Sequence, residues 1–434
     1  MGSYYPHTPE DISEMLAVIG AENIEELYSD VPKDLSAGEL NLAEGASERE
    51  VEERLNALAG KNTVYRSVMR GGGAYRHYIP AIVDEVAAKS SFLTAYTPYQ
   101  AEMSQGVLQS IFEYQTYIAR ITGMEASNAS MYSGATAAAE AVLQNVKGGK
   151  SVLVSDDIRP DTIGVLKTYL ANKNINIIVW ATEPWKKGIQ SIESVLTPDI
   201  AAVYVEQPGY SGEVRDLKAI SAAVHAVGAK LIVGGNPMAY ALTASPGECG
   251  ADVAVGDAQP FGMPTAFGGP YLGYYAVPKK DVRKMPGRIV GKTTDRFGKD
   301  AYVLTLQPRE QHIKRERALS NICSNQALCA LRAATYLAAM GGSGVYKAAY
   351  NSFQNAHFAA AEFEKIGLKV LNKAFFNEFV TDSDKDPDAI ERALAEQGIL
   401  SGLKTGGGKM LWCFTELNGA EDIAAAAKII GGVK

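Results

Sequence analysis

Three stretches of the 434-residue chain gather enough donors and acceptors in one place to do chemistry. The segment from Thr94 to Gly106 holds Tyr96, Thr97, Tyr99, Gln100, Ser104 and Gln105 around a bend at Pro98. With so few apolar anchors, it fits a turn that touches a polar ligand better than plain core. Tyr132, Ser133, Gly134, Ala135 and Thr136 open a helical run of small residues, so free N–H groups and hydroxyls converge on one point, as an anion such as phosphate requires. A capped helix start with small residues for close packing reads equally well. The third stretch runs from Arg309 through Glu310, Gln311, His312, Lys314, Arg315, Glu316 and Arg317 to Ser320 and Cys323. Its mixed signs suit a self-paired solvated face, a subunit contact or a docking patch for an acidic partner.

The elements that must position these residues alternate. After a helical pattern over 105–123, a helix from Ala135 is followed by a strand at 152–154, a helix from Asp161, and strands at 175–180 and 202–205. A helix over 216–227 then precedes strands at 231–233, 253–255 and 271–277. Alternation of this kind predicts a mainly parallel sheet covered on both faces, with ligands at the carboxyl ends of its strands. Farther on, helices are expected over 320–339 and 349–366, separated by Gly341 and Gly342, then strands at 370–371, 376–380 and 410–414 around a helix over 386–397. At the other end, Thr8, Pro9, Glu10 and Asp11 form a helix-start signal for a run stopped by Gly20, and a second helix is read over 48–58. The division expected is a helical arm over 1–65, a large α/β domain over 66–340 and a small α+β domain over 341–434.

That outline matches fold-type I pyridoxal-phosphate enzymes, which need phosphate donors at a helix start, an acid on the pyridine nitrogen and a lysine for the Schiff base. The first is available at Ser133, Gly134, Ala135 and Thr136. Where the acid should end the strand at 231–233, the chain reads Gly234, Gly235, Asn236, Pro237. No lysine occurs between Lys230 and Lys279, and Gln259 stands about where the amine would be. An amide cannot form a Schiff base, so this chain alone is not expected to hold the cofactor covalently.

Composition narrows the classes further. With 47% hydrophobic and 21% charged residues, the chain reads as an ordinary globular protein. No cationic start leads into an apolar run, and no stretch long enough to span a bilayer occurs, so secretion and membrane insertion are not expected. Cys249, Cys323, Cys329 and Cys413 lack CxxC spacing, which points to a reducing cytoplasm, and no metal site is assigned. Residues 1–60 carry 14 acidic against 3 basic side chains, whereas 279–317 carry 12 basic against 5 acidic. An acidic arm and a basic segment on one chain suggest protein contacts more than nucleic acid.

Taken together, these segments resemble the first subunit of two-subunit bacterial glycine decarboxylase, the P-protein family of the glycine cleavage system. The likeness runs from Pro6, His7, Thr8, Pro9 through Tyr75, Arg76, His77, Tyr78 and the Tyr96–Gln100 turn to Asn128, Ala129, Ser130, Met131, Tyr132. It continues through 245–252, 267–270 and 286–291 to the 309–323 segment. Two departures stand out: Ser133 replaces a usual Asp, and after the strand at 152–154, where a His-Pro pair is common, the chain reads Asp156, Asp157, Ile158, Arg159, Pro160.

The resemblance implies a partner subunit that carries the cofactor lysine and pyridoxal phosphate, one active site between two unlike chains, and two copies of each chain. It implies that glycine loses its carboxylate as carbon dioxide and that the aminomethyl group passes to the lipoyl arm of the H-protein. On this chain, Tyr96, Thr97 and Tyr99 are expected to contact cofactor or glycine across the boundary, with Gln105 supporting the turn. Ser133, Gly134, Ala135 and Thr136 would form a vestigial phosphate loop, with no catalytic residue in this chain alone. Two other readings remain at this stage: a self-sufficient pyridoxal-phosphate enzyme using Lys279 or Lys280, and a purely structural scaffold.

Overall fold

The computed structural model describes residues 6–35, 41–183, 185, 190–307, 310–318 and 320–433. They form two compact units that divide between Thr63 and Val64. Within the first, α1 (Pro9–Ile19) starts as its sequence requires: Thr8 and Asp11 form a reciprocal capping box, Pro9 occupies the first turn, and Gly20 ends the helix at φ 82°. Ser47 and Glu50 repeat the device for α2 (Glu48–Ala59).

The second unit is built on a seven-stranded sheet. In chain order its strands are β1 (Ala126–Ser127), β2 (Ser151–Ser155), β3 (Asn176–Trp180), β4 (Ile200–Glu206), β5 (Lys230–Gly234), β6 (Val253–Asp257) and β7 (Gly273–Val277). In space the order is β1-β7-β6-β5-β4-β2-β3, parallel from β6 to β3. β7 runs antiparallel to both β6 and β1. The central strands are apolar on both faces because helices cover both. On one side pack α3 (Gln105–Thr122), α6 (Leu217–Ala226) and the first half of α7 (Ala327–Lys365), through Tyr114, Ile118, Val224 and Tyr336. On the other lie α4 (Gly134–Asn145) and α5 (Pro160–Leu170), through Ala138, Val142 and Leu166.

Two features differ from the expectation. The helices expected over 320–339 and 349–366 are the two halves of α7, which meet at a kink on Gly341 as expected, but the first begins only at Ala327 and the second directly after the kink. Gly341 alone leaves helical backbone, at φ 60° and ψ 175°, and the residues after it re-enter the helix at once. The sequence reading also passed over an antiparallel hairpin, β8 (Ile289–Thr294) with β9 (Asp300–Thr305). Its turn is made by Asp295, whose Oδ1 accepts from the N–H groups of Phe297 and Lys299 at 2.8 and 2.9 Å.

A second sheet of four antiparallel strands lies near the C-terminus: Lys369–Val370, Glu378–Asp382, Lys409–Cys413 and Leu403–Gly406, in that spatial order. Its core joins the second half of α7 to α8 (Pro387–Glu396) and α9 (Ala420–Gly431) around Phe363, Phe379, Trp412 and Phe414. Ser67 and Val68 pair in parallel with Ile399 and Leu400, so the residues just after Thr63 lie with the C-terminal strands, not with the large sheet.

Candidate functional site

The carboxyl ends of β4, β5 and β6 face the start of α4, as the parallel topology dictates. Ser133 caps that helix reciprocally with Thr136, and Gly134 and Ala135 form its first turn. The free N–H of Gly134 donates to Asp257 Oδ2 at 3.1 Å. Asp257 ends β6, and its Oδ1 accepts from the N–H groups of Gln259 and Leu272 at 3.0 and 3.2 Å. Burial raises the Asp257 pKa, against the pull of these donors and of Arg159.

Gln259 is fully buried. Its Oε1 accepts from Tyr75 N at 2.8 Å, while its Nε2 donates to the carbonyls of Tyr75 and Met263, both at 2.8 Å. Tyr75 in turn donates its hydroxyl to Glu378 Oε2 at 2.7 Å, and the other oxygen of Glu378 accepts from Gly72 N at 2.7 Å. Arg159, just before α5, donates to Asp161 at 2.6 and 3.1 Å and to the Gly73 carbonyl at 3.2 Å. Its own N–H bonds Glu206 Oε2 at 3.1 Å, and the hydroxyl of Tyr204 reaches Glu206 Oε1 at 3.0 Å. Burial lifts both Glu206 and Glu378 to about 7. What remains open among Tyr75, Gly134, Arg159, Glu206, Asn236 and Asp257 is a cavity of about 40 Å³.

The residues around this cavity do not fit pyridoxal phosphate. Small-molecule pockets hold roughly 300–1,000 Å³, far more than is open here. No lysine lines the cavity, and an asparagine, Asn236, follows β5 where an acid would have to stand. Lys279 and Lys280 do not supply the missing amine. They follow the end of β7, and the antiparallel register that sets Asp257 against Gly273 puts that end of β7 at the far edge of β6.

The turn forms a second cluster. Tyr96 is 80% exposed, Thr97 is half-buried and its carbonyl accepts from Tyr99 N at 2.8 Å, and Pro98 is buried. Gln105 ties the turn to the hairpin: its amide donates to the carbonyls of Ala101 and Tyr302 at 2.7 and 2.8 Å and accepts from Tyr302 N at 2.9 Å. The Tyr99 hydroxyl accepts from Arg288 Nη2 at 3.0 Å, and the guanidinium lies 5.1 Å from the Tyr99 ring centre. The His312 ring meets Tyr99 edge-on at 5.8 Å. Glu310 is turned inward, 3.8 Å from Arg288 Nε and 3.7 Å from His312 Nδ1.

A chain of contacts connects the two clusters. Tyr132, just before the α4 cap, accepts through its hydroxyl from Cys323 N at 3.3 Å, and Cys323 Sγ accepts from Arg288 at 3.7 Å. Tyr99 and Gln105 therefore enter defined networks, whereas Tyr96 stands clear of them. Arg309 falls outside the described residues. Sequence reasoning did not single out Arg159, Glu206, Arg288 or Glu378. Arg159-Pro160 at a helix start and Glu206 at a strand end were the available signals.

Comparison with known proteins decides the family. The family model for the glycine cleavage system P-protein matches residues 2–430. The chain belongs to the P-protein family. It is 44% identical to a protein of Bacillus pumilus named probable glycine dehydrogenase (decarboxylating) subunit 1, across 99% of this chain and 98% of that one. A protein of the same name from Geotalea daltonii is 45% identical across 93% and 92%. A crystal structure of glycine decarboxylase (P-protein) of the glycine cleavage system, in inhibitor-bound form, superposes with a TM-score of 0.93 at 40% identity, covering both chains completely. At 14% identity, a sphingosine-1-phosphate lyase of Burkholderia pseudomallei shares the fold, with a TM-score of 0.67 over 93% of each chain. P-protein membership accounts for the strand order and the helical cover. Among the described residues, no helix is long and apolar enough to cross a membrane.

Proposed function

We propose that this chain is subunit 1 of a glycine decarboxylase whose active site is completed between two unlike chains. Glycine is the substrate, and pyridoxal phosphate is held covalently by the second subunit. The lipoylated H-protein receives the aminomethyl group, and the working particle contains two copies of each subunit in the cytoplasm. The observation that carries this reading is Gln259. By its place in the sequence it falls about where a cofactor lysine would be, and three hydrogen bonds to Tyr75 and Met263 already engage its side chain. The relatives' name, subunit 1, supports a second chain.

On this reading the chain contributes position. Arg288 holds the Tyr99 phenol in place, and Gln105 fixes the following helix start against β9, so the turn is presented on a rigid base. Tyr96 and Thr97 then offer hydroxyls to a ligand held by the partner. Orientation of this sort is worth several kcal/mol in a bound substrate. The polar shell of the turn argues against an inert scaffold.

The test is glycine–bicarbonate exchange by the reconstituted two-subunit enzyme. Thr97→Ala and Tyr99→Phe are each expected to lower the rate at least tenfold, and near wild-type rates for both would sink the assignment. Separately, the isolated chain incubated with cofactor and borohydride should acquire no covalent adduct.

A further inference from the structure

We propose that Asp257 is an internal anion seated where a phosphate group would bind, and that the cleft is a latent phosphate site closed by this one carboxylate. Three backbone N–H groups converge on the Asp257 side chain: Gly134 at 3.1 Å, Gln259 at 3.0 Å and Leu272 at 3.2 Å. The first belongs to the opening turn of the 12-residue helix α4, the kind of terminus that attracts external anions through its free donors and its dipole. Here the protein's own anion occupies it.

Two further donors surround the same cavity. Arg159 lines it with a largely buried guanidinium. Asn236 lines it too; it is only 7% exposed, and its Nδ2 has no hydrogen-bond partner. The donors around the cleft thus exceed what the Asp257 carboxylate uses. The opposing acid is Glu206, which shares its oxygens between Arg159 N and the Tyr204 hydroxyl.

Space, not chemistry, excludes a ligand. A Cβ on Gly134 would come within 2.9 Å of the Gly256 carbonyl carbon, and one on Gly256 within 2.4 Å of the Gly235 oxygen. The helix start and the strand ends are in direct contact, and only about 40 Å³ is left beside them. Removing the carboxylate enlarges that cavity at the point where the three N–H groups face it. The ligand class is a phosphate monoester or inorganic phosphate. None of this depends on what the second subunit does.

The experiment uses the isolated full-length chain, inorganic phosphate as probe, and thermal unfolding at constant ionic strength set with chloride. Wild type is expected to show no saturable phosphate effect. Asp257→Ala and Asp257→Ser are expected to gain a saturable rise in midpoint, with half-saturation in the millimolar range, and Asp257→Asn, which keeps the seat filled, to gain none. If the alanine variant is unfolded in chloride, phosphate present during refolding should restore its native far-UV circular dichroism. A saturable response in wild type overturns the proposal. So does a folded alanine or serine variant that ignores phosphate, or an unfolded one that phosphate fails to rescue.

Discussion

The Gln259 side chain and the backbone of Tyr75 exchange two hydrogen bonds of 2.8 Å, one in each direction, so the amide pairs with the chain as a neighbouring strand would. This stitch fixes Tyr75 at the edge of the cleft. Replacing Gln259 with Leu keeps the approximate volume but strands the N–H and carbonyl of Tyr75 and the carbonyl of Met263. Buried groups left without partners cost about 1–3 kcal/mol each, less where water reaches them, so the expected loss is about 2–4 kcal/mol. Urea unfolding of the isolated chain measures it. A loss under about 1 kcal/mol would mean that the stitch contributes little.

Three buried carboxylates give the chain an unusual response to pH. Burial raises Glu140, Glu206 and Glu378 from an ordinary 4.5 to about 7. The unfolded chain releases these protons near 4.5, whereas the folded chain keeps them to about 7. Their contribution to stability therefore falls as pH rises between those values and is flat above. His357, lowered by burial, acts in the opposite sense, since its stabilisation is lost as pH falls below its ordinary 6.5. The clean readout is a difference: Glu206→Gln, neutral at every pH, should unfold with a shallower pH dependence between 4.5 and 7 than wild type. Parallel curves would show that Glu206 does not titrate in that window.

Asp157 and Arg215 form a buried ion pair beside the cleft, and Asp157 Oδ1 also accepts from Ser211 N at 2.7 Å. Arg215→Ala leaves the carboxylate without its cation in a dry site. The expected cost is about 3–5 kcal/mol, because an uncompensated buried charge is worse than no pair at all. Thermal and urea unfolding both report it, and a change within about 1 kcal/mol would imply that water reaches Asp157.

The parallel sheet was legible because its central strands are apolar on both faces and helices α5 and α6 follow β2 and β4. Thr8, Ser133 and Asp216 show how reliably a polar residue ahead of an apolar run marks a start. The hairpin at 289–305 was passed over because one face of it is half-buried, so Lys292, Thr293 and Asp300 dilute the apolar alternation. The missing lysine was visible as an absence, but what replaces it was not. Arg159, Asp257 and Glu378 lie far apart in the chain and meet only because the ends of β2 and β6 and the C-terminal sheet converge, a relation that no local pattern records.

Tyr96 separates folding from function. With 80% of its surface exposed, Tyr96→Ser should alter the stability of the isolated chain by no more than about 0.5 kcal/mol. In the reconstituted enzyme the same change is expected to slow glycine exchange several-fold. Unchanged exchange would remove Tyr96 from the shared site, whatever happens to Thr97 and Tyr99.

A ligand seat filled by side chains is complete as soon as the polypeptide folds. Nothing diffusible has to be captured to neutralise the start of α4 or to close the mouth beneath Tyr75. The yield of soluble, folded chain in growing cells should therefore be indifferent to vitamin B6 supply, and starved and replete cultures should accumulate it equally.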